Sequence, residues 1–247
     1  MPLRSIQFAL LLLMPCLGAI PCPVMAQPLV SRREAAAGAA IVAGALLLDR
    51  TLEGAVPDGG GRNLERISDV LNYGGRPQYA VVLLGGTWAV ARLAERSEVA
   101  DAALHVGAAL VGGGVLNGTL KYSVGRERPS ETDDPLRFRP MNAENRWQAF
   151  PSGHAVVAFS LASAVAEEAR SPWVSAVAYT GAALVGWSRV YDDKHWASDV
   201  AGGALIGILA GRSTIRLLHG HGKDDDDADP PAITVAPGVI AVRISVR

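Results

Sequence analysis

With 247 residues and a formal net charge of −1, the chain has no basic excess with which to hold nucleic acid. It is 49% hydrophobic and only 19% charged, which is more apolar than an ordinary soluble domain. Both cysteines, Cys16 and Cys22, fall within the first 26 residues, so the remainder offers no disulfide, thiol nucleophile or Cys-ligated metal.

Arg4, the apolar run from Ile6 to Met14 and the small-residue pattern Val24-Met25-Ala26 read as a secretory signal peptide over residues 1–26. A retained membrane anchor is the alternative, and the shortness of the apolar run stands against it. Pro15 and Pro21 precede the cysteines, where a lipoprotein signal has a small residue, so an exported, periplasmic protein without attached lipid is expected.

Residues 32–48 are alanine-rich and predict a helix, closed by Asp49 and Arg50. A shorter amphipathic helix carries Leu64, Ile67, Val70 and Leu71 on one side and stops at Gly74-Gly75-Arg76-Pro77. Apolar helices follow over 78–96 and 98–122. In the second, Gly112-Gly113-Gly114 marks close packing, because no lysine follows at the spacing of a phosphate loop. A polar segment without periodicity runs from 125 to 150, and connections of that length are either functional or disordered. Its Arg137, Arg139, Arg146 and Trp147 suit a lid or substrate rim, with a plain exposed loop as the simpler reading.

Three more helices are expected over 152–169, 172–187 and 196–218. From His219 the chain turns acidic, and a solvated linker is a simpler account than a weak metal site built on its two histidines. Ile233 and Val235, then Ile240, Val242, Ile244 and Val246, alternate around Pro237-Gly238 in a β-hairpin pattern. The expected fold is therefore all-α, a helical bundle of about six core helices over 27–218. An acidic linker and a short C-terminal β-hairpin-like tail occupy 219–247. Ser171–Ser188 is the best candidate for a membrane span, at the lower limit of the roughly 20 residues required. A globular bundle resting on a membrane is favoured over an integral one, since buried helices are also apolar all round.

Chemistry gathers in three places. Lys121 and Arg128 lie at a helix end and just beyond it, in KYSVGRERP. Pro151-Ser152-Gly153-His154 opens a helix, whose free N–H groups favour an anion. Ser188 to Asp199 holds Arg189, His195 and Asp199, and a helix starting near His195 would put the imidazole and the carboxylate on one face. Three cations and a helix N-terminus describe a cradle for a tetrahedral dianion, and two histidines allow one to attack while the other donates a proton.

The pattern K-x6-RP, PSGH and SR-x5-H-x3-D resembles the signature of the type 2 phosphatidic acid phosphatase (PAP2) superfamily, to which vanadium haloperoxidases also belong. The resemblance implies a metal-independent phosphatase, with motifs over 121–199 and matching helices over about 60–218; with the signal peptide this gives an exported protein with a helical phosphatase domain over 27–218. It implies His195 as the nucleophile, forming a phosphohistidine, with Asp199 orienting it and His154 as general acid. Lys121, Arg128, Ser152, Gly153 and Arg189 would bind the phosphate. No metal and no cofactor is implied, and the partner is a phosphorylated substrate, a lipid or isoprenoid phosphate being the expected class. Two alternatives remain: a vanadate-dependent haloperoxidase, disfavoured by the short chain, and a non-catalytic protein binding lipid head groups.

Overall fold

The computed structural model describes residues 32–53, 61–221, 233–236 and 239–242. The expected signal peptide and the run Asp224–Asp227 lie outside the described residues. Within them the fold is all-α, with α1 (Arg32–Glu53), α2 (Gly61–Gly74), α3 (Pro77–Leu93), α4 (Ser97–Val124), α5 (Gly153–Ala169), α6 (Pro172–Tyr191) and α7 (Ala197–His221). In the tail, β1 (Ile233–Ala236) and β2 (Val239–Val242) pair antiparallel, with Ile233 opposite Val242.

Helix α5 is the hub. It packs against α4, α6 and α7, while α1 lies on α7 and α2 on α6. Its buried face is built of alanine, serine and valine, which lets its neighbours come close. Gly203, Gly207 and Gly211 of α7, spaced one turn apart, meet this face. A Cβ on Gly207 would lie 2.7 Å from the Val156 carbonyl oxygen, so the two backbones touch. Of the glycine run in α4 only Gly113 has such a neighbour, Ser160 Oγ at 2.7 Å, whereas Gly112 and Gly114 face open space.

The segment from 125 to 150 is folded, not loose. Glu127 N–H donates to the Arg137 carbonyl at 3.0 Å, Arg128 N–H to the Arg146 carbonyl at 3.0 Å, and Ala149 N–H to the Arg126 carbonyl at 3.0 Å. Arg126 is only 1% exposed and anchors this wrap. Its guanidinium donates to Asp49 Oδ2 (2.7 Å), Asp199 Oδ1 (2.7 Å), Ser198 Oγ (2.6 Å) and the Pro135 carbonyl (2.8 and 2.9 Å). Asp49 in turn accepts from the Ser198 amide at 2.9 Å and its hydroxyl at 2.6 Å. One buried cation thus ties α1, the wrap and the start of α7 together. Glu127, equally buried, pairs with Arg137 at 3.2 Å and with Arg146, so two of the arginines suggested for a lid are pinned instead.

The outside of the bundle is apolar. Leu93 (86%), Trp173 (82%) and Val82 (73%) stand in the open. Helix α2 is inverted relative to a water-soluble helix: its buried residues are Ser68 and Asn72, and Ile67 and Val70 face outward. Among the described residues two helices, Ser97–Val124 and Ala197–His219, are long and apolar enough to cross a membrane. Neither is the Ser171–Ser188 run favoured by sequence. Helix α4 stays free of Asp, Glu, Lys and Arg from Ala102 to Leu120, and in α7 the arginines sit toward the end, where they leave enough apolar length.

Arg126→Ala is expected to destabilise the fold by about 3–5 kcal/mol, because it leaves two carboxylates buried without their cation. Arg126→Lys should recover only part of this, lacking the planar fork. Denaturant or thermal unfolding of the purified variants checks both.

Candidate active site

The three motifs meet at one end of the bundle, and each is delivered by a local device. Helix α4 ends at Gly125 in the left-handed conformation (φ 59°), where a Cβ would lie 1.9 Å from the Arg139 carbonyl oxygen. Only glycine fits, and the chain turns there into Arg126-Glu127-Arg128. Ser152 caps α5: its Oγ accepts from Ala155 N–H at a long 3.5 Å, while its own N–H donates to the Asp199 carbonyl at 2.9 Å. His154 therefore sits in the first turn of α5. Beyond α6 the amides of Lys194 and His195 both donate to the Arg189 carbonyl, at 3.1 and 3.2 Å, a tight turn that presents His195 just ahead of α7.

These ends enclose a polar cavity of about 560 Å³ that Arg128, His154, Arg189 and His195 line together. Lys121, Ser152, Gly153 and Asp199 are not among its lining residues. Lys121 is close behind, its ammonium donating to the Gln148 carbonyl and its Cε lying 3.7 Å from where a Cβ on Gly153 would be.

The geometry of His195 decides its chemistry. Nδ1 lies 2.8 Å from the Ala149 carbonyl oxygen and 3.8 Å from Asp199 Oδ2. A carbonyl can only accept, so Nδ1 carries the proton and Nε2 keeps its lone pair. Burial pulls the imidazole down to about 4, against the opposing pull of Asp199, and the ring is neutral at pH 7. This differs from the expected direct clasp by Asp199. His195 precedes α7, so helical i,i+4 register does not apply to the pair. Asp199 also spends its oxygens elsewhere, Oδ2 accepting from Trp196 N–H at 2.9 Å and Oδ1 from Arg126.

Several site residues carried no recognisable sequence signal. Asn72 Oδ1 accepts from Arg189 Nη1 and from Ser188 Oγ (3.0 Å), and its amide donates to Asp192 Oδ2 at 2.7 Å. Asp192 also accepts from Ser68 Oγ at 2.6 Å and pairs with Arg189 at 3.2 Å. Arg128 is aimed by Asn145, whose backbone oxygen it meets at 2.9 Å, and by the Lys194 carbonyl at 2.9 Å. Arg76, read only as a helix stop, lines the cavity beside His154, and Gly75 next to it touches that histidine so closely that a Cβ would lie 2.6 Å from His154 Cβ. The one available hint was the polar stripe Ser68 and Asn72 on an otherwise amphipathic helix.

Two solved structures share this helical architecture. The Aquifex aeolicus LpxE structure is similar with a TM-score of 0.53 at 23% identity, covering 67% of this chain and 93% of that one. A transmembrane PAP2-type phosphatidylglycerolphosphate phosphatase from Bacillus subtilis is similar with a TM-score of 0.50 at 23% identity, covering 78% and 88%. Residues 102–223 match the model of the PAP2 superfamily. A lipid A 1-phosphatase from Porphyromonas gingivalis is 44% identical over 108 residues, which is 43% of this chain. A putative undecaprenyl-diphosphatase, YbjG, from Escherichia coli is 29% identical over 133 residues, or 54% of this chain. The match spans 21% of the first relative's length and 61% of the second's.

Asn72→Ala is expected to weaken orthophosphate or vanadate binding by about tenfold or more, since it frees a buried guanidinium from a charge-assisted hydrogen bond. Calorimetric titration of the two proteins measures it.

Proposed function

We propose that the chain is a membrane-embedded phosphatase that hydrolyses a lipid or isoprenoid phosphate through a phosphohistidine. The observation that carries this is His195. Its Nε2 is unprotonated and opens on a cavity that also holds His154 and the guanidinium groups of Arg128 and Arg189. Burial and the surrounding cations pull the His154 imidazole down to about 4 in the empty site, and the negative charge of bound phosphate lets it take up a proton from solvent. Nε2 then attacks phosphorus, the bond from phosphorus to the leaving oxygen breaks, and His154 gives that oxygen its proton. His154 then takes a proton from water, whose oxygen attacks phosphorus. The P–N bond breaks, and its electron pair returns to His195 as inorganic phosphate forms. Arg128 and Arg189 hold the equatorial oxygens, with Lys121 and the Ser152-Gly153 helix start completing the cradle from behind. Asp199 acts on the phosphorylated ring through its charge and by fixing the start of α7.

The preference for a lipid rests on the apolar surface and on a groove. Between α2, α5 and α6 an apolar cavity of about 370 Å³ is lined by Val70, Gly74, Leu161, Gly181 and Val185 among others. Gly74 adjoins Gly75, which touches His154, so the groove ends at the wall of the polar cavity. Both named phosphatase relatives carry names of lipid-linked substrates, lipid A and undecaprenyl diphosphate. Export, expected from the pattern of residues 1–26, belongs to the same reading.

His195→Ala should abolish phosphate release, and His154→Ala should lower it by roughly 10²–10⁴-fold. Phosphate release in detergent across long-chain and short soluble phosphate esters measures both; full activity of His195→Ala would overturn the mechanism. Gly181→Trp fills the groove where a side chain has open space. It should lower kcat/KM for a long-chain lipid phosphate by about tenfold while sparing a short ester, the size expected for lost apolar contact. An equal loss on both would remove the groove from the reading.

A further inference from the structure

At the other end of the bundle His105 of α4, Glu168 of α5 and His219 of α7 converge. His105 Nδ1 lies 2.8 Å from Glu168 Oε1, and His219 Nε2 lies 3.4 Å from the same oxygen. The three atoms all lie within 4.8 Å of one another, and the two rings meet edge to face at 5.6 Å between centroids. At a rise of about 1.5 Å per residue, His105 sits roughly 24 Å along α4 from Lys121, well away from the catalytic cavity.

We propose that His105, Glu168 and His219 form a site for a divalent transition-metal ion, Zn²⁺ foremost, that clamps α4, α5 and α7 together. Two imidazoles and one carboxylate are the donor types that Zn²⁺ takes, with bonds of about 2.0–2.2 Å and a fourth position left to water. Tetrahedral bonds of that length put ligand atoms about 3.3–3.5 Å apart. The His219–Glu168 separation already matches, and the His105–Glu168 hydrogen bond needs to open by about half an ångström to match it. Side-chain exposures of 26%, 17% and 35% leave the three ligands shielded yet reachable from solvent.

The surrounding charges agree with this assignment. Arg212 and Arg216 of α7 turn to Glu167, at 3.4 and 3.9 Å. Glu168 is left facing two imidazoles, whose ring nitrogens become metal donors once their protons leave. The three ligands come from three helices far apart in sequence, so the site exists only in the folded chain, and the aspartates of the acidic run contribute none of its ligands.

The test uses the full chain purified in detergent, stripped with chelator and titrated with ZnCl₂. The expected result is saturable binding with a raised thermal midpoint, and a Kd weakened at least tenfold in both His105→Ala and Glu168→Gln. Glu168→Gln keeps the side-chain shape, and its thermal midpoint in chelator should equal the wild-type value, which separates lost binding from lost folding. A four-coordinate visible spectrum with Co²⁺ in the wild type, absent from His105→Ala, would support the same site. Equal Zn²⁺ affinity in wild type and His105→Ala would assign the ion to His154, His195 or the tail and overturn the proposal. Absence of saturable binding in the wild type would overturn it as well.

Discussion

Burying a guanidinium is tolerable only where every donor finds an acceptor and the charge finds a partner, and Arg126 meets both conditions. Its five hydrogen bonds reach α1, the 125–150 wrap and the first turn of α7. Each of those partners has its own dependants. The Arg126 carbonyl accepts from Ala149 N–H at 3.0 Å, and the Ala149 carbonyl then meets His195 Nδ1. Asp199, held by Arg126, receives Ser152 N–H on its backbone oxygen and Trp196 N–H on its carboxylate. His195 and the helix that carries His154 are therefore placed through one buried cation. Its planar fork fixes directions as well as distances, which a lysine at the same spot could not do.

The helices were legible because their apolar runs are long and their stops are glycine and proline. The motif residues were legible because lysine, arginine, histidine and serine at those spacings have few other uses together. What escaped notice was polar structure whose meaning is entirely tertiary. Asn72 is an unremarkable amide in a short helix, and only the fold shows it between Arg189, Ser188 and Asp192. Asp49 closes a helix in sequence, yet its partner Arg126 lies 77 positions on. The link between His195 and Asp199 was legible in kind but not in detail. Four-residue spacing suggests a helical pair, and the structure starts the helix two residues after the histidine, so a backbone oxygen takes the place assigned to the carboxylate.

The distribution of polarity has the sense expected of a protein dissolved in lipid. Helix α2 turns Ser68 and Asn72 inward to the site and shows Ile67 and Val70 to the outside. The core of α5 consists of small residues, and its contact with α7 is backbone against backbone at Gly203, Gly207 and Gly211. Close approach of this kind holds helices together where water cannot drive apolar side chains inward. The same feature accounts for composition: the glycine and alanine that make the sequence look featureless are what allow the two helices bearing the site to sit within contact distance.

The hydrogen bond from His195 to residue 149 has a consequence for how such proteins vary. Because the acceptor is a peptide oxygen, its identity is written nowhere in the side chain at that position. Ala149 is wholly enclosed, so it is limited by volume alone. Substitution scanning there would report intolerance of bulk and would miss the tautomer it sets. A functional group supplied by the main chain is thus shielded from point mutation and exposed instead to anything that shifts the path of the wrap, including changes at Arg126 or Pro135 that touch no reacting atom.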